Sequence, residues 1–364
     1  MEFGLSSEQK LLSETVRRFV EQQVPLDRVR QIAAERSGFD QAIWQGLADL
    51  GVLGIIVPEE YGGAGLSFFD AALVQEHLGW AVTPAPYSST ALMAPVAFLH
   101  AATEMQKQVW LPKIAAGEVK IGVGLSEAVG AREGAGLTLK EGKLHGKALF
   151  VLDAMVADLL LLAVGRDTLV LVPANEAGVT RNALNNIDRT RGLAELLFDG
   201  ATAIPLGSVG GAATAIRKTI DAGRVALAAD NLGAAQRMIE KTVVYSLERK
   251  QFNRPIGSFQ GYKHMCAEMA AELEPSRSLV WYAAHCQSEI PNEASVMACH
   301  AKAHLAEVCT EIANKATLGH GGMGFTDLMG VHYWFKRIGY NRQILGGPEA
   351  VRADAAALQG LVAA

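Results

Sequence analysis

A change of pattern along the chain, from helical to β-rich and back to helical, limits the fold more than any single motif does. Up to about residue 118, apolar residues recur at helical spacing, as in Leu11, Leu12, Val16 and Phe19. Between about 120 and 210, short β-rich runs such as DLLLLAV and TLVLVPA alternate with turn residues. Long helical patterns return from about 213. Repeated βαβ units are absent, which disfavours a doubly wound nucleotide-binding fold.

This order predicts an α+β protein in three parts. We expect an N-terminal helical domain over 1–118, a small antiparallel β barrel or sandwich over 119–212, and a C-terminal helical bundle over 213–364. Glu141 and Gly142 predict the turn of a β-hairpin within the middle part. Three C-terminal helices are long enough to pack against each other, and Pro275 is expected to interrupt the second of them.

The composition excludes several classes of protein. In the 364 residues, 33 Lys and Arg against 38 Asp and Glu give a net charge of −5, which argues against a nucleic-acid partner. Four cysteines without CxxC spacing fit reduced thiols in the cytoplasm. The sequence does not open on a secretion signal, and no apolar run approaches the ~20 residues of a membrane span. We therefore expect a cytoplasmic protein with no membrane span.

Two short motifs have ordinary structural interpretations that we prefer. Gly319, Gly321 and Gly324 satisfy G-x-G-x-x-G, but a helical pattern precedes them where a dinucleotide site needs a strand. A glycine-rich helix end, or glycines that let a ligand come close, are the alternatives. GLSEA around Ser126 approaches a nucleophile elbow, yet the residues that follow indicate strands rather than the required helix.

Two further groups concern ligands. His300 and His304 are spaced i, i+4 with Glu307 near the same face, but this order differs from H-E-x-x-H and the remaining ligands are missing, so we expect no metal site. RKQFNRPIGSFQ, at 249–260, places cations, an aromatic ring and an amide where two helices meet. It fits either a polar loop or an anion site for a phosphorylated cofactor.

Six segments spread over nearly the whole chain form one consistent set. They are VPEEYGGAGLSFFDAALVQEHLG at 57–79, VGLSEA at 123–128, GKALFVLDAMVADLLLLA at 146–163, ALNNIDRTRGLAELLFDG at 183–200, RKQFNRPIGSFQGYKHMCAEM at 249–269 and LGHGGMGFTDLMGVHYWFKR at 318–337. In order and spacing they resemble the acyl-CoA dehydrogenases, a family of FAD flavoenzymes. The resemblance implies a helical domain, a β domain and a C-terminal four-helix bundle.

The resemblance also implies a reaction and a cofactor site. The family dehydrogenates an acyl-CoA thioester: a carboxylate takes the α-proton, the β-hydride passes to FAD, and an electron-transfer flavoprotein accepts the electrons. The implied FAD contacts are Leu125, Ser126, Phe150 and Val151 in the β domain, and Arg249, Phe252, Gln260, Gly321 and Gly322 toward the FAD of a neighbouring subunit.

The usual catalytic base is missing. The family's common base lies nine residues after the arginine that Arg337 matches, and Gly346 occupies that position. The alternative base directly precedes the arginine that Arg224 matches, and Gly223 occupies that one. Glycine has no acid–base group, so neither position supplies the proton acceptor that the reaction needs.

Three interpretations remain open. Another carboxylate, Asp221, Asp230 or Glu349, serves as base; a homologous partner subunit supplies it; or the chain binds FAD or acyl-CoA without dehydrogenating. We take the chain as an acyl-CoA dehydrogenase-like subunit, one part of a hetero-oligomeric tetramer. A homo-oligomeric enzyme and a non-catalytic binding subunit are the alternatives.

Further departures concern the cofactor. Leu152 stands where the family has a hydroxyl that bonds the flavin, Ala128 replaces a proline, and Asn253 replaces a glycine. Arg132 replaces a serine, and the two alternatives for it are a contact with a CoA phosphate and an ordinary surface position. We expect these changes to weaken FAD binding by the β domain and to leave the Arg249–Phe252 contribution intact.

Overall fold

A computed structural model describes residues 4–130 and 134–362 of the chain. Its α+β architecture, helices then a sheet then helices, is the predicted one; Arg132 lies outside the described residues. The helices are α1 (Ser7–Gln23), α2 (Leu26–Glu35), α3 (Gln41–Asp49), α4 (Phe68–Trp80), α5 (Ala94–Ala101), α6 (Glu104–Ala115), α7 (Ser126–Gly130), α8 (Ala213–Glu248), α9 (Gln260–Glu289), α10 (Pro291–Gly319), α11 (Val331–Gln343) and α12 (Pro348–Leu358). Within these two ranges no helix is both long and apolar enough to cross a membrane.

The N-terminal helices begin at side-chain caps and meet the sheet through a buried hydroxyl. Ser6, Ser67 and Thr103 open α1, α4 and α6 with reciprocal capping boxes, which satisfy amides that a helix start leaves without partners. Just before α5 the backbone forms a π-helical segment. Its buried Thr90 Oγ1 accepts from the Ile121 amide at 2.9 Å, so the π-helical segment is tied to the first strand.

The middle part is one open sheet rather than a closed barrel. Its strands are β1 (Ile121–Gly124), β2 (Gly136–Lys140), β3 (Lys143–Leu152), β4 (Leu159–Val164), β5 (Thr168–Pro173), β6 (Val179–Ala183), β7 (Leu193–Thr202) and β8 (Ile204–Pro205). They lie in the order β6-β7-β3-β1-β4-β5-β8, with β2 beside β3. The predicted antiparallel barrel or sandwich is therefore only an approximate description of this sheet. β1 pairs with β4 in parallel, and the described strands leave the two ends of the sheet apart.

The sheet is buried on both faces. Leu160 and Leu162 of β4 join a core made only of β-domain residues, whereas Leu161 packs with the helices. This alternation explains why β4 is an unbroken run of leucines, since a strand covered on both sides needs apolar residues at every position. The predicted hairpin turn is confirmed, with Glu141 at φ 50° and Gly142 at φ 74° between β2 and β3.

The C-terminal part contains the expected long helices. α8 runs for 36 residues, α9 for 30 and α10 for 29, and α11 packs against α8 and α10 to complete the bundle. The predicted interruption at Pro275 is wrong, because α9 continues through it. After α8 a two-stranded hairpin of β9 (Lys250–Gln251) and β10 (Arg254–Pro255) leads into α9.

A buried ionic network joins all three parts. Arg337 of α11 lies 3.3 Å from both carboxylate oxygens of Asp230 on α8 and also donates to Asp188, which precedes β7. Arg191, Asn341 and Gln75 of α4 also donate to Asp230, at 3.1, 2.7 and 2.7 Å. Burial opposes its ionisation, but Arg337 and Arg191 hold the pKa of Asp230 below its ordinary value. This network fixes α8 and α11 against the sheet.

Candidate active site

The end of β1 and a bulge in β3 lie side by side. Ser126 Oγ accepts a hydrogen bond from the Leu149 amide at 3.4 Å, and the register of β3 against β7 shifts between Ala148 and Val151. Within this bulge Phe150 takes the left-handed conformation, φ 54°, and its side chain is 37% exposed. The structure thus brings the predicted residue Ser126 close to Phe150.

The neighbouring predicted residues are buried. Val151 is wholly inside the β-domain core, where a Cβ on Gly124 would lie 2.9 Å from its Cγ2. Leu125 and Leu152 are 3% and 7% exposed. A ligand at this bulge would therefore meet the ring of Phe150 and backbone groups, and Leu152 offers it no hydroxyl.

Ser126 itself begins α7, so the prediction that strands follow it directly is wrong. The one-turn helix is held by Glu127, whose carboxylate accepts from the amides of Leu137 and Gly165. The Ser126 hydroxyl serves an ordinary structural purpose, as the acceptor for a backbone amide. Gly319 likewise ends α10, so no strand precedes the glycine motif.

A second group of predicted residues meets at the far end of α8. In the β9–β10 hairpin, Phe252 and Asn253 are both left-handed, at φ 52° and 60°, and Arg249 precedes them on the surface. Asn tolerates this conformation better than other side chains, which explains how it replaces the family's glycine. The Phe252 side chain is 87% exposed.

The glycines at and after the end of α10 lie near the start of α9, which the hairpin precedes. Tyr262, two residues after Gln260 in α9, donates its hydroxyl to the Gly319 carbonyl at 2.9 Å and ties the start of α9 to the end of α10. Gly321 and Gly322 follow and are exposed, with no atom within 4 Å of where a Cβ would stand. The backbone here is open to close approach by a ligand.

The two groups are far apart. Gly346 stands next to Arg224 and to Val129 of α7, which places the Ser126 group near the first third of α8. From Arg224 to the hairpin, α8 continues for 24 residues, or about 36 Å at 1.5 Å per residue. The same ring of a bound ligand therefore cannot contact both Phe150 and Phe252 of one chain.

The two glycines at the expected base positions border the same place. A Cβ on Gly346 would stand 3.0 Å from Val351 Cγ2 and 3.6 Å from an Arg224 nitrogen, and Gly346 has φ 104°, which L side chains rarely adopt. A Cβ on Gly223 would stand 2.4 Å from Leu345 Cδ1 and 2.9 Å from the sulfur of Met93. Leu345 and Met93 fill the space that a side chain at 223 would need.

A cavity of about 330 Å³ opens beside these glycines. It is lined by residues of α7, the β4–β5 turn, α8 and α12, namely Ala128, Val129, Gly130, Arg166, Ala213, Ile216, Arg217, Ile220, Arg224, Ala350 and Asp354. Three arginines and an apolar floor suit an anionic ligand with an apolar chain.

None of the carboxylates named from the sequence lines this cavity. Glu349 is 79% exposed and lies 3.7 Å from Arg342. Asp230 belongs to the buried network. Asp221 is buried, which raises its pKa against the opposing effect of Arg217, and it borders a separate cavity of about 180 Å³.

The carboxylate that lines the 330 Å³ cavity is Asp354, which sequence reasoning missed. Arg224 donates to it at 2.5 Å and Arg217 at 2.8 Å. Burial opposes its ionisation, yet hydrogen bonds from both arginines hold the pKa of Asp354 below its ordinary value. Asp354 lies eight residues after Gly346, and the packing of α12 against α10 brings it to the arginines of α8.

His304 and Glu307 of α10 make structural contacts. His304 Nε2 lies 3.2 Å from Ser276 Oγ, and Glu307 pairs with Arg352. Across residues 4–130 and 134–362, no group of three or more His, Cys, Asp or Glu side chains is arranged to hold a metal ion.

Comparison with known proteins gives one consistent result. The family model described as "Acyl-CoA dehydrogenase, N-terminal domain" matches residues 6–118, and "Acyl-CoA dehydrogenase, C-terminal domain" matches residues 210–360. Acyl-CoA dehydrogenase IpdE2 of Mycolicibacterium smegmatis is 32% identical over 346 residues, covering 94% of this chain and 96% of the relative. The short-chain specific acyl-CoA dehydrogenase of Clostridium acetobutylicum is also 32% identical, over 90% of this chain and 91% of the relative. A solved structure of Tcur3481-Tcur3483, a steroid ACAD, superposes with a TM-score of 0.87 at 28% identity, covering 97% of this chain and 98% of that one.

Proposed function

The chain belongs to the acyl-CoA dehydrogenase family, and on that premise we propose that it is one subunit of a flavoprotein that desaturates an acyl-CoA thioester between the α and β carbons. A homologous partner subunit supplies the carboxylate that removes the α-proton. The observation that carries the proposal is the cavity beside Gly346, where the lining carboxylate, Asp354, is held ionised by two arginines.

The chemistry explains why Asp354 is a poor base. The α-proton of a thioester is weakly acidic, so its acceptor needs a desolvated carboxylate with a raised pKa. Arg217 and Arg224 do the opposite to Asp354. They do suit the negative charge that develops on the thioester oxygen, or the phosphates of CoA, because guanidinium groups match both. This division of roles leaves the base to another subunit.

The residues of this chain fit FAD. When bound, FAD accepts the hydride that leaves the β-carbon as the base takes the α-proton, and an α,β-unsaturated thioester results. Arg249 offers an exposed cation for a diphosphate and Phe252 an exposed ring, while Gly321 and Gly322 leave open backbone beside them. Phe150 and Ser126 would border the ring system, with no hydroxyl from Leu152.

The spacing along α8 supports an oligomer. The hairpin and the bulge lie about 36 Å apart along the helix, so Phe252 would serve the FAD of a neighbouring subunit. We propose a tetramer built with a homologous chain, and the relative Tcur3481-Tcur3483 is itself named as a pair. We further propose an electron-transfer flavoprotein as acceptor. The four cysteines are free, which supports the proposed cytoplasmic location.

The test uses the chain alone and the chain expressed with a homologous subunit that carries Glu at the position of Gly346. Visible absorbance gives FAD per chain, and mass gives the assembly. We expect anaerobic acyl-CoA to bleach the flavin of the pair and not that of the chain alone. Bleaching by the chain alone at the rate of the pair would contradict the partner-supplied base. A Glu-to-Gln change in the partner provides the control, because it should abolish bleaching and leave the yellow colour.

The relatives are named as dehydrogenases, so a purely structural acyl-CoA-binding subunit is not favoured. Its distinguishing result would be a pair that binds acyl-CoA and FAD at full occupancy and never bleaches with any acyl-CoA from butyryl to palmitoyl.

A further inference from the structure

Lys302 of α10 is a deeply buried cation near the candidate site. Its residue is 1% exposed, and its Nζ donates to three carbonyls: Asn341 at 2.7 Å, Arg342 at 3.1 Å and Gly346 at 3.2 Å. Buried lysines are rare unless their charge is satisfied. Here the satisfaction comes from backbone oxygens.

The three carbonyls lie at the end of α11 and in the turn that follows it. Asn341 and Arg342 lie at the end of α11, where helix carbonyls lack intrahelical partners. Gly346 is the residue at the expected base position. The ammonium of Lys302 therefore joins the end of α11 to the turn that faces Arg224 and the cavity.

A second cation holds the same turn from the other side. Arg224 Nε donates to the Leu345 carbonyl at 3.1 Å. Leu345 and Gly346 are consecutive left-handed residues, at φ 58° and 104°, and a leucine in that conformation is strained. The two hydrogen bonds stabilise a backbone path that Leu345 would not otherwise prefer.

These bonds also set the direction of the amides. In a planar trans peptide the C=O and the N–H point in opposite directions. With the Gly346 carbonyl aimed at Lys302, the amide of Gly347 points away from it; with the Leu345 carbonyl aimed at Arg224, the Gly346 amide points away from Arg224. Lys302 thus sets the direction of the Gly347 amide, while the Gly346 amide donates within the chain to the Gln343 carbonyl at 3.3 Å.

The charges around Lys302 make a purely packing role unconvincing. Burial lowers the pKa of Lys302 to about 7, and the facing cations Arg224 and Arg342 act in the same direction. An apolar side chain of similar length, such as methionine, would fill the space without the cost of burying a charge. What methionine cannot do is hold three carbonyls.

We infer that Lys302 is a positioning residue, which fixes the Leu345–Gly346 turn where the acyl thioester binds. This location of the thioester rests on the proposed function. The residue touches no substrate in this role. Its effect passes through the backbone of the turn, and so it belongs to substrate binding rather than to cofactor retention.

The test compares Lys302→Met with wild type in the FAD-loaded pair. The probe is the tightest-binding member, for wild type, of a series from butyryl-CoA to palmitoyl-CoA. We expect Lys302→Met to weaken its binding about tenfold or more, since small misplacements of a site cost this much. FAD per chain should stay unchanged, and Lys302→Arg, which keeps the charge and donors, should recover most of the affinity.

Arg277→Met is the matched control, because it breaks a partly buried pair that α9 makes with Glu76 of α4. It should lower the Tm and leave acyl-CoA affinity as in wild type. Wild-type affinity in Lys302→Met, or an equal loss in Arg277→Met, would overturn the inference. If Lys302→Met does not fold, Lys302→Gln decides in the same way. Failure of wild type to bind any member of the series would instead count against the proposed function.

Discussion

The two ends of α8 differ in whether they keep the residues expected for the family. At the hairpin end, Arg249 and Phe252 keep the expected residues, and even the replacement at Asn253 preserves a left-handed backbone. At the cavity end, both base positions are glycine, and their surroundings have closed: Leu345 and Met93 occupy the space next to Gly223. This contrast supports the proposed assembly, in which the hairpin binds the FAD of a neighbouring subunit and a partner supplies the catalytic base.

The largest expected effect comes from placing a carboxylate at one of the two base positions of the cavity end. Gly223→Glu would push a charged side chain into Leu345 and Met93, where a Cβ alone already stands 2.4 Å from Leu345. We expect the free energy of unfolding to fall by at least about 3 kcal/mol, from overpacking and a buried charge. Chemical denaturation measures this.

Gly346→Ala is the milder companion variant. It should cost about 1 kcal/mol, from the positive φ and the contact with Val351. A stable Gly223→Glu protein that bleaches with acyl-CoA on its own would show that the space next to Gly223 can hold a base, and the contrast between the two ends would fail.

The next effect concerns the hairpin. Phe252→Ala should lower the FAD content of the assembled protein about tenfold, because a stacked aromatic ring contributes on this scale. Stability of the isolated chain should barely change, since the side chain is 87% exposed. FAD per chain after gel filtration is the measurement. Leu11→Ala, at a residue 66% exposed on α1, is the control and should retain FAD; equal FAD loss in both variants would rule out a specific role.

A smaller effect is expected at the cavity. Asp354→Asn removes the carboxylate shared by Arg217 and Arg224 and leaves two cations facing the cavity. We expect acyl-CoA to bind about three- to tenfold more tightly at low salt, with the gain shrinking as salt screens it. Titration calorimetry at two salt concentrations tests this. Asp49→Asn, on α3 far along the chain, is the charge-matched control. An unchanged affinity in Asp354→Asn would show that the arginines of the cavity do not bind the CoA phosphates.

The fold was largely predictable because its signals are local. Helical spacing, the Glu141-Gly142 turn and the leucine run of β4 each depend on a few neighbouring residues. The open form of the sheet was not predictable, since the strand order depends on the parallel pairing of β1 with β4 across an intervening hairpin. Pro275 misled because a helix packed on several sides tolerates a proline that an isolated helix does not.

The candidate site was predictable only where the family pattern applies. The hairpin residues could be named one by one from their motif. Asp354 and Lys302 could not, because each reaches the site through helix packing: α12 against α10, and α10 against α11. No spacing in the sequence links Lys302 to the carbonyl of Gly346, 44 residues away; packing alone creates that contact.

The smallest effect is a pH dependence at the cavity end. The pKa of Asp354 is lowered on folding, so its contribution to stability is present above its ordinary pKa of 3.8 and is lost as the pH falls through the lower folded value. Since the group is partly exposed, we expect a difference of only about 1 kcal/mol between wild type and Asp354→Asn at pH 7. Urea denaturation from pH 7 to pH 3 should show that difference narrowing toward the acid end. A gap that stays constant with pH would mean that Asp354 stabilises α12 by packing, and that the arginines at the cavity are not held by its charge.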